Sequence, residues 1–228
     1  FFVDVTNVTG ANVGDARGQG TIVNDDVPLD PCAAAFTPVP AIQGSGAASP
    51  LSGQVVTTRG VVVGDYEYPG TGATAGFLRG FYLQDPVGDG NAATSDGVFV
   101  FNANSNSVAL GDVVLVTGTV SEFQDQTQVT AASIVACGTG SVTPTDIALP
   151  LASTTALEPF EGMLVRIPQT LTVTEHFQLG RFGQVVLSSG GRLAQPTNIA
   201  APGAAAQAVQ AQNLLNRIIL DDDGQGQN

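Results

Sequence analysis

Apolar and polar positions alternate along the middle of the chain in short runs of strand length. Residues 54–136 contain five such runs: QVVTTRGVVVGDY, GFYLQ, GVFVFN, GDVVLVTGTVSEF and TQVTAASIVA. Residues typical of turns separate them, which indicates β-strands rather than helices. The first and fourth runs are long and carry a glycine in mid-run, Gly60 and Gly118, where a bulge or barrel corner is typical. Long bent strands shared around a closed sheet predict a small five-stranded barrel.

The pattern on the N-terminal side of this barrel is weaker. Residues 1–26 contain two strand candidates, FFVDVTNV and GQGTIVND, joined by a Gly/Asn/Asp turn. A lone hairpin is at best marginally stable in water, so this segment needs support from elsewhere. Residues 27–50 are rich in Pro, Ala and Gly and lack periodicity, which indicates a linker. We therefore expect a terminal hairpin over 1–26 and a connector over 27–50.

The pattern on the C-terminal side predicts a second β-rich region. Strand candidates are GMLVRIPQTLTVTE, GQVVLSS, RLAQP and RIIL, and residues 202–216 form a predicted helix that begins at a proline and is rich in alanine. The whole chain is thus expected to be all-β, with one short helix. We assign an OB-like barrel to 51–140, a smaller β-rich domain to 141–224, and a linker to 225–228 that leads to a missing downstream domain.

Charge and composition narrow the classes of function. The 228 residues include 20 acidic and 7 basic residues, all of the latter arginines, for a net charge of −13. A basic footprint for nucleic acid over the whole surface is therefore excluded, and a polyanion would need local arginines or bridging cations. No apolar run approaches the roughly 20 residues of a membrane helix, so we expect no membrane insertion. Because the chain opens at Phe1 without Met or a signal peptide, we expect a piece of a longer, processed chain.

The two cysteines lie at the two ends of the predicted barrel. Cys32 precedes its first strand, Cys137 ends its last strand, and their separation matches no metal-ligand spacing. A disulfide between them would join the entry of the domain to its exit and would imply an oxidising compartment. Two buried thiols are the alternative. We predict the disulfide.

An acidic loop, DPVGDGNAATSDG, lies between the second and third strands of the predicted barrel. Counted from Asp85, the carboxylates of Asp89 and Asp96 and the carbonyl of Asn91 fall at ligand positions of an EF-hand-type calcium loop. Val87 occupies another ligand position, and the flanks are strands, so an intact EF-hand is excluded. Two interpretations remain open: a calcium ion bound by Asp85, Asp89, Asn91 and Asp96, or a solvated polar turn.

Arginine and aromatic residues of the barrel are candidates for binding nucleic acid, because OB-like barrels hold single strands by phosphate contacts and base stacking. The candidates are Arg59, Tyr66, Tyr68, Arg79 and Tyr82. Phe81, Phe99 and Phe101 lie in strands whose side chains alternate between two faces, one of which must face the core. For Phe99 and Phe101, packing in the core is the favoured role. We expect Asp65 and Glu67 to weaken phosphate attraction in the neighbouring loop.

The residues needed for phosphodiester hydrolysis are not found together. That reaction needs converging carboxylates with His, Asn or a metal pair that activates water. The chain has one histidine, His176, with no second His or Cys at ligand spacing, and no nucleophile-elbow pattern. Glu158 and Glu161 flank the dipeptide PF in a loop and are interpreted as ordinary surface acids. We expect this segment not to be an enzyme by itself.

Several blocks of the chain resemble a known family. IQGSGAASPLSGQVVTTRGVVVGDY, GDVVLVTGTVSEF, LEPFEGMLVRIPQTLTVTEHFQLGRFGQVVLSSGG and RIILDDDG are similar to the OB-like region of secreted bacterial nucleases of the YhcR-like and ExeM/NucH type. The resemblance implies an extracellular or cell-surface location. It also implies a downstream metal-dependent endonuclease/exonuclease/phosphatase-type domain, whose catalytic residues match no position here. On this reading the segment positions that domain or its substrate, which includes single-stranded or extracellular DNA.

The N-terminal hairpin has a resemblance of its own. Its last residues, GTIVNDD, resemble the C-terminal end of a Calx-beta repeat, which implies that Asp25 and Asp26 match positions that can ligate calcium; acids of the linker are the alternative. This leaves an alternative function open: a calcium-stabilised structural or adhesive module without nucleic-acid binding. The hairpin would then pair with the sheet of a neighbouring chain, and the protein would self-assemble by strand addition.

Overall fold

The computed structural model describes residues 1–23, 30–67, 78–103 and 105–223. The chain divides into two compact units, Phe1–Ala33 and Ala34–Asn228. In the first unit, strands β1 (Phe2–Asp4) and β2 (Arg17–Gln19) form an antiparallel hairpin. The Arg17 guanidinium contacts the Asp4 carboxylate at 2.6 Å across it, and a 3-10 helix covers Pro31–Ala33. Asp25 and Asp26, the predicted calcium ligands of this segment, lie outside the described residues.

The second unit contains a closed five-stranded barrel. Its strands are β3 (Val55–Tyr66), β4 (Gly80–Gln84), β5 (Gly97–Phe101), β6 (Asp112–Phe123) and β7 (Gln126–Thr139). They pair in the order β3-β4-β5-β7-β6 around the barrel. All pairs are antiparallel except β5 with β7. This is the strand order of an OB-like barrel, so the predicted all-β fold class is confirmed.

Period-two alternation places one set of side chains inside the barrel. Phe81 and Leu83 of β4 and Val98 and Val100 of β5 have no exposed surface and belong to one apolar cluster. Burial of such side chains stabilises by roughly 1.5–3 kcal/mol each. Residues between them in sequence lie on the outer face of β4 and β5, where the candidate site is found.

A short helix, α1 (Val39–Gln43), also contributes to this core. Its Val39 and Ile42 are fully buried in the same cluster as the strand residues. The predicted linker, 27–50, therefore differs from the structure. Residues 39–43 are part of the barrel unit, because two apolar side chains one helical turn apart cover one end of the apolar cluster.

The mid-strand glycines lie where the backbone approaches other atoms closely. Between Thr117 and Gly118 the register of β6 against β7 shifts, which is the predicted bulge. A Cβ on Gly118 would lie 2.3 Å from the carbonyl oxygen of Thr130. A Cβ on Gly60 would lie 2.6 Å from the carbonyl oxygen of Gln84. Only glycine fits at these two barrel corners without displacing backbone.

The C-terminal region belongs to the same compact unit as the barrel. It contains a parallel pair, β8 (Thr145–Asp146) with β9 (Val165–Arg166), and an antiparallel sheet, β10 (Leu171–Glu175), β11 (Val185–Ser189) and β12 (Ile218–Leu220). Its helices are a 3-10 turn at Glu158–Phe160, α2 (Leu179–Phe182), α3 (Pro196–Ile199) and α4 (Ala204–Leu215). The predicted helix over 202–216 corresponds to α4. The run RLAQP forms no strand and leads into α3.

A buried polar network centred on Glu161 joins this region to the barrel. The backbone N–H of Thr127 donates to Glu161 Oε1 at 2.8 Å, and Gln43 Nε2 donates to the same oxygen at 3.4 Å. The hydroxyl of Ser95 donates to the Glu161 carbonyl at 2.6 Å. Glu161 is half-buried and hydrogen-bonded to α1, to β7 and to the loop before β5, so its interpretation as an ordinary surface acid was wrong. Burial raises the pKa of its carboxyl, the hydrogen bonds from Thr127 and Gln43 oppose this shift, and the charges of Glu158 and Glu122 reinforce it.

We expect Glu161 to make the fold less stable as pH rises. A carboxyl whose pKa is raised in the folded state binds its proton more tightly there, so stability falls as pH increases from its ordinary value of 4.5 through the raised value. In urea denaturation over that pH range, Glu161→Gln should lose this contribution and retain an oxygen acceptor for Thr127. Glu161→Ala should lose about 1–3 kcal/mol throughout, because the donors are left unsatisfied. Parallel pH profiles for wild type and Glu161→Gln would contradict the assignment.

Candidate nucleic-acid interface

A groove of about 1010 Å³ lies on the outer face of the barrel strands. Strands β3, β4, β5 and β7 and the turn between β6 and β7 line one side, and residues around α2 and after β12 line the other. Of the described residues, the aromatic side chains that line it are Tyr66, Tyr82, Phe99, Phe101, Phe123 and Phe182. The outer face of the second and third barrel strands is where OB-folds bind oligonucleotides and oligosaccharides. The groove thus occupies the ligand-binding face of the fold.

Three rings form a continuous aromatic surface in this groove. Tyr82 and Phe99 lie opposite each other on β4 and β5, with ring centroids 5.1 Å apart and planes inclined at 57°. Tyr66, near the end of β3, meets Tyr82 edge-on at 5.9 Å. Both ring arrangements are energetically favourable for a pair of aromatic side chains. Tyr66 remains 41% exposed, whereas Phe99 is 3% exposed and forms the floor.

Gly80 makes room for this floor. A Cβ on Gly80 would lie 2.7 Å from the Phe99 ring and 2.1 Å from the carbonyl oxygen of Val100. The missing side chain lets the Phe99 ring lie directly over β4. The predicted packing role for Phe99 agrees with its burial, while Phe101, one pleat further along β5, is partly exposed and lines the groove.

The charged groups of the groove are few and of both signs. The Arg79 guanidinium lies 6.0 Å from the centre of the Phe101 ring. On the opposite side, Asp221 accepts a hydrogen bond from Gln184 at 2.5 Å, and Asp223 accepts one from the Leu78 N–H at 3.1 Å. Among the described residues that line the groove, a long polyanion therefore meets one cation and two carboxylates, a balance that does not favour strong phosphate attraction.

Polar side chains add hydrogen-bonding capacity along β7. Gln126, Gln128 and Thr130 alternate with the buried Thr127 and Val129 and line the groove. Gln126 Nε2 donates to the Tyr82 hydroxyl at 3.3 Å. Burial raises the pKa of the Tyr82 phenol, and the nearby Tyr66, Asp223 and Glu161 raise it further, so the hydroxyl stays protonated at neutral pH.

The structure brings together three of the five predicted nucleic-acid contacts. Tyr66, Arg79 and Tyr82 line the one groove. Arg59 does not line it, and its guanidinium stacks on Phe36 at 4.6 Å. Tyr68 lies outside the described residues. Phe123 and the β7 amides were not predicted to contribute, although the alternation in QTQVT indicates polar side chains on the outer face of the strand.

Glu67, which we expected to weaken phosphate attraction in the loop after β3, has a buried side chain in the structure. Its carboxylate accepts hydrogen bonds from the N–H groups of Ser107 at 2.6 Å and Val108 at 3.0 Å. The side chain of Asn102 also donates to it. Its charge therefore anchors the segment after β5 instead of facing a ligand. Glu67 is thus a buried, hydrogen-bonded group, and its effect on phosphate attraction stays a prediction.

The acidic loop after β4 is organised by hydrogen bonds to its own backbone. Asp85 accepts from the N–H groups of Val87 at 2.9 Å and Gly88 at 3.2 Å. Asp89 accepts from the Asn91 N–H at 2.8 Å. Burial raises the pKa of Asp96, and the charges of Asp85 and Asp89 raise it further. Within the described ranges, no group of three or more His, Cys, Asp or Glu side chains is placed to hold a metal ion. Calcium binding at this loop stays a prediction.

The remaining sites of the sequence analysis lie apart from the groove. Cys32 and Cys137 are both disulfide-bonded, which confirms the predicted pairing. His176 does not line the groove and instead lines a second pocket, which β10 and α4 border. None of the helices in the described part of the chain combines the length and the apolar character needed to cross a membrane.

Comparison with known proteins adds no assignment. No protein-family model matches the chain, and no curated protein matches it. The resemblance to secreted nucleases and to a Calx-beta repeat therefore stays an expectation from the residues quoted above.

Proposed function

We propose that this chain is a noncatalytic, nucleic-acid-handling segment of a secreted nuclease-like protein. Its groove holds a single strand and presents it to a downstream metal-dependent phosphodiesterase domain. One observation carries the proposal: the ligand-binding face of the OB-like barrel bears a partly exposed aromatic surface made by Tyr66, Tyr82 and Phe101. Bases stack on such rings without regard to sequence, at about 1–3 kcal/mol per base.

The polar groups of the groove suit the edges of bases. Gln126 and Gln128 offer amide donors and acceptors beside the rings, and the neutral Tyr82 phenol adds a hydroxyl. Double-stranded nucleic acid conceals its base faces and edges, whereas an unpaired strand exposes them. The proposed ligand is therefore single-stranded.

The charges in the groove determine which interactions bind the single-stranded nucleic acid. With Arg79 as the groove's arginine and Asp221 and Asp223 at its side, stacking outweighs phosphate contacts. Binding then weakens only slightly with salt, with a slope of log affinity against log salt of about −0.7 for one phosphate contact on a single strand. The disulfide is suited to an oxidising compartment, which supports an extracellular or cell-surface location for the proposed module.

The test is a fluorescence-anisotropy titration of a labelled short oligothymidylate with wild type, Tyr66→Ala and Tyr66→Phe. Removal of the ring should weaken binding about 5-fold to 150-fold, which corresponds to 1–3 kcal/mol. Tyr66→Phe keeps the ring and should bind like wild type. Phe2→Ala, an exposed aromatic in the hairpin unit, is the control outside the groove. Equal affinity of wild type and Tyr66→Ala would refute the groove as the binding surface.

A further inference from the structure

We propose a second ligand site, the arginine pocket, in which Arg192 and Arg217 bind the phosphate group of a nucleotide or nucleic acid. The pocket has a volume of about 780 Å³, and both arginines line it. It lies in the C-terminal region, where its walls come from β10, the segment 192–196, α4 and the residue before β12. It shares no lining residue with the groove, so this inference does not rest on the proposed function.

The seven arginines of the chain are used in three ways. Two form ion pairs with carboxylates: Arg17 with Asp4, and Arg166 with Asp146. Three others stack on aromatic rings: Arg59, Arg79 and Arg181. The remaining two, Arg192 and Arg217, line the same pocket. Within residues 1–23, 30–67, 78–103 and 105–223, neither of these two guanidinium groups forms a hydrogen bond or an ion pair.

That arrangement is unusual for a chain with a net charge of −13. A carboxylate within reach would pair with an arginine, yet in the described part of the chain the guanidinium groups of Arg192 and Arg217 line one pocket and have no carboxylate partner. The pocket also contains Glu175, which opposes anion binding, and His176. Two fixed positive charges against one negative charge leave the pocket attractive to an anion. Guanidinium groups bind phosphate by paired, charge-assisted hydrogen bonds.

The walls of the pocket are held in place by hydrogen bonds. The N–H of Leu193 donates to Thr174 Oγ1 at 2.8 Å, which ties the segment carrying Arg192 to β10. Asn213 of α4 donates to the Ala194 carbonyl at 3.0 Å from the other side. Arg217 directly precedes β12 and is half-buried. The backbone that carries Arg192 is therefore hydrogen-bonded to β10 and α4, and the backbone that carries Arg217 continues into β12.

An aromatic ring at the pocket narrows the class of ligand. Phe177 lines it and is 81% exposed, although a phenyl ring gains stability from burial. A flat ring of the ligand would cover it while the phosphate reaches the arginines. Phosphate carried on a nucleoside satisfies both features, and inorganic phosphate satisfies the first alone.

The experiment is calorimetric titration of the whole chain with inorganic phosphate, with thymidine 5′-monophosphate and with a short oligothymidylate. We expect saturable binding of phosphate and tighter binding of the nucleotide. Arg192→Gln should weaken both about tenfold or more, since a hydrogen bond to a charged group contributes about 1.5–3 kcal/mol. Phe177→Ala should weaken the nucleotide alone. Arg181→Gln removes the same charge from an exposed arginine outside the pocket and should leave binding unchanged.

Two outcomes would overturn the proposal. One is the absence of saturable binding for all three ligands. The other is equal weakening by Arg192→Gln and Arg181→Gln, which would mean that net charge alone matters. Because Arg192 is exposed, its variant should keep the wild-type thermal unfolding curve, which separates lost binding from lost folding. Tyr66→Ala should bind phosphate normally, so failure of the groove and failure of the arginine pocket are distinguishable.

Discussion

Replacing both cysteines by serine is expected to lower the free energy of unfolding by about 3–5 kcal/mol. The disulfide between Cys32 and Cys137 closes a loop of roughly a hundred residues, which contains most of the barrel. Such a cross-link restricts the unfolded chain, and the loop-entropy account gives about 4.7 kcal/mol for a loop of this length. Both cysteines are half-buried, so serine adds little cost of its own.

Urea denaturation of wild type and the double variant gives the two free energies directly. Reduced wild-type protein provides the matched control, because it lacks the cross-link and keeps both sulfur atoms. Its stability should equal that of the double variant to within about 0.5 kcal/mol, the usual effect of a surface substitution. A loss below about 1 kcal/mol in both would mean that the unfolded chain retains structure that already brings the two positions together.

The second large effect is expected at the bulge of β6. Gly118→Ala places a methyl group 2.3 Å from the carbonyl oxygen of Thr130 and 2.7 Å from Val129 Cγ1. The first of these atoms belongs to the backbone of the adjacent strand, so relief requires the β6–β7 pairing to open. Overpacking typically costs about 1–3 kcal/mol, and we expect about 3 kcal/mol or more here.

Gly180→Ala is the matched control for this substitution. Gly180 lies in α2, its φ is not in the left-handed region, and a Cβ there would meet no heavy atom within 4 Å. Alanine is also the better helix former, so Gly180→Ala should be neutral or stabilising by up to about 1 kcal/mol. Equal stability losses in the two variants would show that the close approach at the barrel corner is relieved without cost.

Much of the barrel was predictable because its signals are local. Strand alternation marked β3 to β7 to within a few residues, and the mid-run glycine at 118 marked a register shift. Helix α1 was missed because five residues are too few to establish a helical period. Its buried Val39 and Ile42 were interpreted as part of a Pro/Ala-rich linker.

The candidate site was predictable only in part, because the barrel strands and the C-terminal segment that line it are distant in sequence. Tyr66 and Tyr82 were candidates because they are aromatic residues of the predicted OB-like barrel, and both line the groove. Phe182 and Asp221 line the same groove as these two rings. That proximity depends on how the C-terminal region packs against the barrel, and no local sequence pattern predicts this packing. Glu161 was misinterpreted for the same reason, since its hydrogen-bond partners Gln43 and Thr127 are distant in sequence.

The most direct test of the groove uses the tyrosine fluorescence of the protein. The chain has no tryptophan and three tyrosines, of which Tyr66 and Tyr82 line the groove. A base stacked on either ring should quench its emission. Titration with a short oligothymidylate is therefore predicted to give saturable quenching that is reduced in Tyr66→Ala and weakens only slightly with salt. Emission that stays constant to saturating oligonucleotide would contradict the account and favour a structural module without nucleic-acid binding.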